Sequence, residues 1–246
     1  MALHPDRLLP ADPATRSIAR DLFARVERLP IVSPHGHTDP RWWGEDPAFE
    51  DPAALFVVPD HYVCRMLVSQ GVPFAALGIG PGAQADPRSI WRVFAAHYHL
   101  FRGTPSRLWI DHALETVFGV TARLSAETAD AAYDAIADRL ADPSCRPRAL
   151  YDRFGIEVIA TTDSALDDLR WHKAARGSGW KGRVLPTYRP DAVTDPDFEG
   201  FRANVETLGS ITGCDIATFD GYLEAHRARR AFFRAMGATA TDHGPP

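Results

Sequence analysis

Apolar residues recur every three or four positions through most of the first 154 residues, and this period predicts amphipathic helices. The first helix is expected to begin near Asp12-Pro13, a favourable helix start, and to cover 14–28. The short apolar run at 29–33 predicts a buried strand. Further helices are predicted over 59–70, 88–101, 105–118, 125–140 and 147–154.

The pattern changes after residue 154, where short apolar runs alternate with helical stretches. Strands are predicted over 156–161, 183–188 and 237–241, and helices over 163–175, 196–209 and 217–235. This alternation is typical of an α/β fold in which helical crossovers join parallel strands.

The stretch from His35 to Leu150 is far longer than an ordinary connection between a strand and a helix. We therefore expect a helical subdomain inserted in the loop after the first strand. The predicted organisation has the N-terminal helix and first strand in 1–34, the insertion in 35–150, and three further strands with their helices in 151–246.

Composition narrows the class of protein. The chain has 246 residues, of which 45% are hydrophobic and 24% charged, as in ordinary soluble globular proteins. A net charge of -5 argues against a nucleic-acid partner, and no apolar run reaches the roughly 18 residues of a membrane span. Three scattered cysteines and the absence of a signal-peptide pattern favour a cytoplasmic protein. No motif of a serine hydrolase, an NTPase or a dinucleotide-binding enzyme is present.

The segment His35-Gly36-His37 directly follows the first predicted strand and carries the sharpest chemical signal. Alternate residues of an extended chain point to the same side, so two imidazoles at i and i+2 can share one metal ion. Ten histidines make chance pairs common, but the position after an apolar run favours a ligand pair. Trp42 and Trp43, which follow, either wall a pocket or pack the insertion.

Tyr62 and Arg65 lie three residues apart near the start of a predicted helix, so they share a face. The pair could donate hydrogen bonds to an oxyanion and bind a carboxylate. An ordinary helix cap with a surface arginine explains the same residues, and by themselves they favour that interpretation.

Arg189 follows the predicted strand 183–188, at the position where a loop opens toward an active site in a parallel α/β protein. Arginine suits bidentate binding of a carboxylate, while an Arg189–Asp191 pair that ties down a turn is an equal alternative. His243 follows the predicted strand 237–241 in the same way, as a site residue or part of a capping turn. Asp163 is interpreted first as a helix N-cap and second as a residue of the site.

The other histidines receive structural interpretations. Three of them, in stretches rich in Trp and Phe, are expected to be packed or partly exposed helix residues: His97, His99 and His112. Three more are expected at the surface: His4, His172 and His226.

Five short motifs, in order along the chain, together resemble the uronate isomerase family, also called glucuronate isomerases, a branch of the amidohydrolase superfamily. They are Ser33–Pro40, Asp60-His61-Tyr62 with Arg65, Ala160–Asp163, Leu185–Asp191 and Ala240–Gly244.

The resemblance implies a (β/α)8 TIM-barrel fold of the metal-dependent hydrolase type, of which this chain holds about the first four strands and the helical insertion. It implies the interconversion of D-glucuronate with D-fructuronate and of D-galacturonate with D-tagaturonate. The partner it implies is a small-molecule uronate, and the full-length protein can form a homo-oligomer.

The resemblance also implies roles for individual residues. His35 and His37 are expected to bind a divalent metal, usually zinc. Tyr62 is expected to hydrogen-bond in the site and to take part in proton transfer, and Arg189 to bind the substrate. Three further motif positions are grouped with substrate binding: His61, Arg65 and His243.

Length is the departure from this family, whose chains are about twice as long. The family's third metal ligand, an aspartate at the eighth strand, and a later His and Arg motif have no counterpart here. We therefore expect the N-terminal half of a uronate isomerase, with exposed sheet edges, weak metal binding and little or no activity alone. The alternatives are a metal-dependent hydrolase of the same superfamily and a non-catalytic half-barrel that needs a partner chain.

Overall fold

The computed structural model describes residues 3–244, which divide into two compact units. One unit comprises the residues up to Glu27 together with Ala48–Arg146, and the other comprises Arg28–Pro47 together with the residues from Pro147 onward. Each unit is therefore built from separate stretches of the chain. Among residues 3–244, none of the helices combines the length and apolar character that a membrane crossing requires.

The first unit is helical throughout its described residues. Its α-helices are α1 (Pro13–Val26), α3 (Pro52–Phe56), α4 (His61–Val68), α5 (Pro87–Ala96), α6 (Pro105–Thr116) and α7 (Ala129–Leu140). Short 3-10 turns cover Phe74–Leu77, Tyr98–Phe101, Ala126–Thr128 and Pro143–Cys145. All helices predicted for this region are confirmed to within a few residues.

Aspartate followed by proline sets the start of several helices in this unit. Asp12, Asp51 and Asp86 each accept hydrogen bonds from backbone amides of the first turn, and a proline follows each of them. The carboxylate satisfies amides that have no partner within the helix, and the proline gives up an amide that would have none. This local chemistry explains why the sequence predicted the beginning of α1.

Aromatic side chains of α5 and the turn after it form the centre of the helical unit. Trp91, Phe94, Tyr98 and Phe101 are all buried, and the ring of Phe94 lies 5.3 Å from that of Tyr98 and 5.6 Å from that of Phe101. The indole of Trp91 donates to the Ala129 carbonyl at 2.9 Å, so the buried polar atom is satisfied. α5 is therefore the central helix of this core.

α1 keeps its apolar face exposed within the described residues. Ile18, Leu22 and Val26 recur at helical spacing, as predicted, but they remain 61%, 61% and 53% exposed. An apolar helix face of this kind is normally covered by another element.

The second unit is mixed α/β. Its strands are β1 (Ile31–Ser33), β2 (Ile156–Ala160), β3 (Asp163–Ser164), β4 (Val184–Leu185) and β5 (Tyr188–Arg189). Its helices are α2 (Pro40–Glu45), α8 (Pro147–Arg153), α9 (Arg170–Gly177), α10 (Asp191–Thr194), α11 (Phe201–Thr212) and α12 (Phe219–Ala235). The strands form parallel sheets with the orders β1-β2-β4 and β3-β5, and the predicted α/β class is confirmed.

The strand predictions need four corrections. The run 183–188 is two strands, β4 and β5, because Pro186 between them has no amide hydrogen to donate to a ladder. The run 237–241 is not a strand within residues 3–244 and makes one isolated parallel bridge, from Thr241 to Tyr188. The sequence predicted four strands, whereas the described chain has five short ones. Nor is β1 buried, since Ile31 and Val32 are 47% and 58% exposed.

The predicted helix over 163–175 is confirmed only from Arg170 onward, and the assignment of Asp163 as its N-cap is wrong. Asp163 belongs to β3 and pairs with Tyr188 of β5. The helix begins only at Arg170, after a turn in which Leu169 adopts a left-handed conformation and Asp167 accepts the Leu169 amide at 2.6 Å. Pairing with β5 therefore decides the structure of this segment over local helix preference.

Arg148 and two tryptophans fix α2, the helix that follows the His35–His37 segment. The Arg148 guanidinium donates to the Trp43 carbonyl at 2.7 Å and to the Gly44 carbonyl at 2.9 Å. Trp43 is buried, stacks on Trp180 at 6.1 Å and meets Tyr151 edge-on at 5.8 Å. Of the two interpretations of this tryptophan, packing is the one that the structure supports.

Gly44 in α2 gives a test of this packing. A Cβ at Gly44 would lie 3.0 Å from the Trp171 carbonyl oxygen and 3.2 Å from its Cα, both backbone atoms of α9. We expect Gly44→Ala to lower the free energy of unfolding by about 1–3 kcal/mol through overpacking. Gly177→Ala, at the end of α9, is the matched control because nothing lies within 4 Å of its Cβ position. Urea unfolding of both variants measures the difference, and equal midpoints would contradict the expected clash.

Candidate active site

Two imidazoles converge directly after β1. The Nε2 atoms of His35 and His37 lie 3.0 Å apart, and the rings are 4.8 Å apart at an interplanar angle of 80°. At this distance one ring donates its Nε2 hydrogen to the lone pair of the other. The predicted i, i+2 arrangement thus brings both nitrogens to one point.

Gly36 allows the peptide between these histidines to lie against the end of β2. A Cβ at Gly36 would be 3.2 Å from the Ala160 carbonyl oxygen, closer than side chains normally approach. The Thr162 hydroxyl donates to the Gly36 carbonyl at 2.9 Å. The segment is therefore held by a close backbone approach and by a side-chain hydrogen bond.

Asp242 lies between the histidine pair and Arg189. Its Oδ2 atom is 3.7 Å from His35 Nδ1 and 3.6 Å from Arg189 Nη1, and it is buried without a hydrogen bond. Asp242 belongs to the Ala240–Gly244 motif but had no predicted role. An acidic residue directly after the predicted strand 237–241 was the signal that could have identified it.

Arg189 is held from two sides. Its Nε donates to Asp191 Oδ2, and the Gly244 amide donates to the two oxygens of the same carboxylate at 3.1 and 3.2 Å. The Arg189–Asp191 pair, given above as one of two alternatives for this arginine, is thus present. It holds the Arg189 guanidinium beside Asp242. His243 is exposed and lines a cavity of about 480 Å³ together with Asp191 and Gly244.

The histidine pair can be tested for its fit to a metal ion by donor chemistry and spacing. Neutral imidazole nitrogen is a common ligand of zinc, and two nitrogens bound to one tetrahedral ion at about 2.0–2.1 Å lie roughly 3.3 Å apart. The separation of 3.0 Å between His35 Nε2 and His37 Nε2 is close to that spacing, so the pair fits as two ligands of one ion. Within residues 3–244, no group of three His, Cys, Asp or Glu side chains is placed to hold a metal.

The remaining predicted residues lie on α4 in the helical unit. Asp60 caps this helix by accepting the Tyr62 amide at 2.8 Å and the Val63 amide at 3.2 Å. Asp60 thus caps α4, as expected if this segment is an ordinary helix start. The ring of His61 lies 4.2 Å from that of Tyr62, which is 64% exposed.

Tyr62 and Arg65 line one cavity of about 640 Å³, whose wall also includes Trp109. This confirms that the two residues share a face of α4. The cavity offers a phenol, a guanidinium and an aromatic surface, a combination that can contact both the polar and the apolar side of a small molecule.

A buried polar cluster lies behind the end of β2. The Thr161 hydroxyl donates to Asp163 Oδ2 at 2.7 Å and lies 2.8 Å from His172 Nε2, and the Thr187 amide donates to the same carboxylate oxygen at 3.1 Å. Burial raises the pKa of Asp163 to about 6 and lowers the pKa of His172 to about 4.

His172 and His226 are therefore not surface residues, as the sequence had predicted, but buried ones at 3% and 8% exposure. His226 Nδ1 lies 2.7 Å from the Tyr188 hydroxyl, and desolvation lowers the pKa of this imidazole. Both rings are covered by elements distant in sequence, which local patterns do not reveal.

Comparison with known proteins gives consistent matches over the whole chain. The family described as Glucuronate isomerase matches residues 13–245. The chain is 62% identical over 246 residues to the uronate isomerase of Rhizorhabdus wittichii and 60% identical to that of Mesorhizobium japonicum. These alignments cover 100% and 98% of this chain but 52% of each relative, so the chain spans about half the length of the curated relatives it matches.

Solved structures give the same result. The crystal structure of glucuronate isomerase from Caulobacter crescentus matches with a TM-score of 0.95 at 50% identity, over 99% of this chain and 51% of that one. The uronate isomerase from Thermotoga maritima matches with a TM-score of 0.88 at 30% identity over the same shares.

The buried cluster predicts opposite pH dependences for its two titratable members. Asp163 has a pKa raised to about 6 from 3.8, so the folded chain binds the extra proton and its contribution to stability falls as pH rises through this window. His172 has a pKa lowered to about 4 from 6.5, so the unfolded chain binds the extra proton and stability rises with pH between these values.

Single substitutions separate the two contributions. Relative to the wild type, we expect Asp163→Asn to gain stability as pH rises from 4 to 6, and His172→Gln to lose it as pH rises from 4 to 6.5. Each slope is limited to about 1.4 kcal/mol per pH unit. Urea unfolding at several pH values measures both differences, and slopes of the same sign would contradict the assignment.

Proposed function

The chain belongs to the glucuronate isomerase family, and from this premise we propose that it acts in the interconversion of D-glucuronate with D-fructuronate and of D-galacturonate with D-tagaturonate. The observation that carries the proposal is the convergence of His35 and His37 after β1, with Asp242 between this pair and Arg189. An isomerase of this type needs a group that polarises the sugar oxygens at the reacting C1–C2 end and a separate group that binds the carboxylate at the other end of the sugar.

The reaction moves a proton between C1 and C2 of the sugar through an enediolate. In the proposed site, His35 and His37 hold a divalent metal, zinc, through Nε2. When bound, the metal supplies Lewis-acid stabilisation of negative charge on oxygen. Arg189 binds the carboxylate of the substrate and fixes its register, because a guanidinium matches a carboxylate with two parallel hydrogen bonds.

Tyr62 is proposed to hydrogen-bond to a substrate oxygen and to move a proton at its hydroxyl. The support for this role is the family pattern at Asp60-His61-Tyr62 and the exposure of the phenol on α4. His61, Arg65 and His243 are proposed to contact the substrate. All three side chains are exposed and therefore available to a ligand.

The proposed architecture is the N-terminal part of a (β/α)8 barrel, with 35–150 as the region inserted after its first strand. Parallel pairing in the order β1-β2-β4 and the pairing of β3 with β5 support it. The exposure of Ile31 and Val32 agrees with a strand that has a further neighbour in such a barrel. A cytoplasmic location and a homo-oligomeric full-length protein belong to the same proposal.

Metal binding tests the histidine pair directly. We expect Co²⁺, followed by its visible absorption, to bind the 246-residue chain weakly, and His35→Ala or His37→Ala to reduce the affinity at least tenfold. His99→Ala, a change at an exposed histidine of the helical unit, is the matched control and should leave the affinity unchanged. Equal affinities of the wild type and His35→Ala would remove the metal site from the proposal.

Uronate binding and turnover test the remaining roles. We expect calorimetry to detect D-glucuronate but not D-glucose on the zinc-loaded chain, and Arg189→Gln to abolish this binding, because the carboxylate loses its bidentate partner. Arg227→Gln, at an exposed arginine of α12, is the control.

With these residues alone, we expect little or no conversion of D-glucuronate. Turnover near the usual enzymatic range of about 1–1000 per second would contradict that expectation. Hydrolysis of esters or lactones without isomerisation would favour a metal-dependent hydrolase instead.

A further inference from the structure

We propose that Thr162 is a positioning residue for the histidine pair. Its hydroxyl holds the carbonyl of Gly36, the residue between His35 and His37, and thereby sets the separation of the two imidazoles. The inference rests on the proposed metal-binding function of that pair. It assigns a task to a residue that lies two positions after the end of β2 and hydrogen-bonds to the backbone rather than to either imidazole.

The first observation is the hydrogen bond itself. Thr162 Oγ1 donates to the Gly36 carbonyl oxygen at 2.9 Å and joins segments 126 residues apart in the sequence. Thr162 is half-buried, so water competes less well for this bond than it would at the surface. The bond connects the segment after β2 to the segment after β1.

The second observation is the space around Gly36. A Cβ there would lie 3.2 Å from the Ala160 carbonyl oxygen, so the peptide is packed against β2 as well as hydrogen-bonded to it. Packing limits how closely the peptide can approach β2, and the hydroxyl limits how far it can move away. Together the two contacts hold the peptide at one distance from the strand.

The opposite directions of the Thr161 and Thr162 side chains support the same conclusion. Thr161 is fully buried and places its hydroxyl between Asp163 and His172. Successive residues of an extended chain point to opposite sides, so Thr162 is directed away from that cluster and toward the His35–His37 segment. The Thr161 hydroxyl thus contacts the buried polar cluster, and the Thr162 hydroxyl contacts the segment that carries the histidine pair.

Fixing this peptide acts on both imidazoles at once. His35 and His37 are the two neighbours of Gly36, so a rotation of the Gly36 peptide moves both Cβ atoms and changes the distance of 3.0 Å between the Nε2 atoms. A metal ion tolerates little error in the distance between its ligands, and loss of outer-shell partners typically costs 10–100-fold in metal affinity. The hydroxyl of Thr162 is an outer-shell group of this pair that acts through the backbone, and it joins the pair to the segment after β2.

The test compares Co²⁺ affinity in variants of the 246-residue chain. We expect Thr162→Val, which is nearly isosteric but has no hydroxyl, to bind Co²⁺ about tenfold more weakly than the wild type. Thr162→Ser, which keeps the hydroxyl, should bind within about twofold of the wild type. Thr162→Ala is the second variant without a hydroxyl and should behave as Val does.

Thr207→Val is the matched control, because Thr207 also donates its hydroxyl to a backbone carbonyl, that of Ala203 in α11 at 2.8 Å. We expect this variant to keep the wild-type affinity. Unfolding of the metal-free chains in urea is measured in parallel, so that affinity is compared only among folded proteins. A purely structural role would lower stability without changing the affinity of the folded protein.

Wild-type affinity in folded Thr162→Val or Thr162→Ala would overturn the inference, as would a Ser variant as weak as the Val variant. Failure of the proposed metal site has a different signature, since the wild type and His35→Ala would then bind Co²⁺ equally.

Discussion

The contact between the Gly36 peptide and the end of β2 is the constraint on which the candidate site depends. Glycine suits this position because a Cβ would lie 3.2 Å from the Ala160 carbonyl oxygen, a tight contact. Because His35 and His37 flank Gly36, the position of this peptide sets the positions of both side chains, whose Nε2 atoms lie 3.0 Å apart. On the far side of the same segment, α2 is held by Arg148 through the carbonyls of Trp43 and Gly44. The turn between β1 and α2 is thus anchored at both ends.

Charge organises the other half of this site. Arg189 stands between the carboxylates of Asp191 and Asp242, and the three groups together carry a formal charge of -1. Because Arg189 has two carboxylate partners, the position of its guanidinium is well defined. An incoming anion must therefore compete with a carboxylate that is already present. The buried Asp242 Oδ2 lies 3.6 Å from Arg189 Nη1 without a hydrogen bond, whereas Asp191 accepts one from Arg189 Nε, so Asp242 is the weaker competitor. The arrangement therefore favours exchange of Asp242, rather than Asp191, when a carboxylate binds to Arg189.

Exposed apolar surface is the second general feature of the chain. Ile31 and Val32 of β1 and the apolar face of α1 remain accessible within the described residues. The chain spans about half the length of the relatives it matches, and its backbone follows that of a solved relative with a TM-score of 0.95. At the candidate site, the Gly36 carbonyl and the Asp191 carboxylate each accept a hydrogen bond from within the second unit, whereas the buried Asp242 Oδ2 accepts none.

The sequence by itself determined the features that depend on near neighbours. Aspartate and proline at positions 12 and 13 predicted the start of α1, and His35 and His37 after an apolar run predicted a pair of nitrogens at one point. The Arg189–Asp191 pair, one of the two alternatives considered for this motif, is likewise an interaction between near neighbours. Only the tertiary structure decided the rest. It buried His172 and His226, placed Asp163 in β3 and brought Asp242 between His35 and Arg189. The physical reason is that helix caps and residue spacing act over a few positions, whereas burial and strand pairing depend on residues that are far apart in the chain.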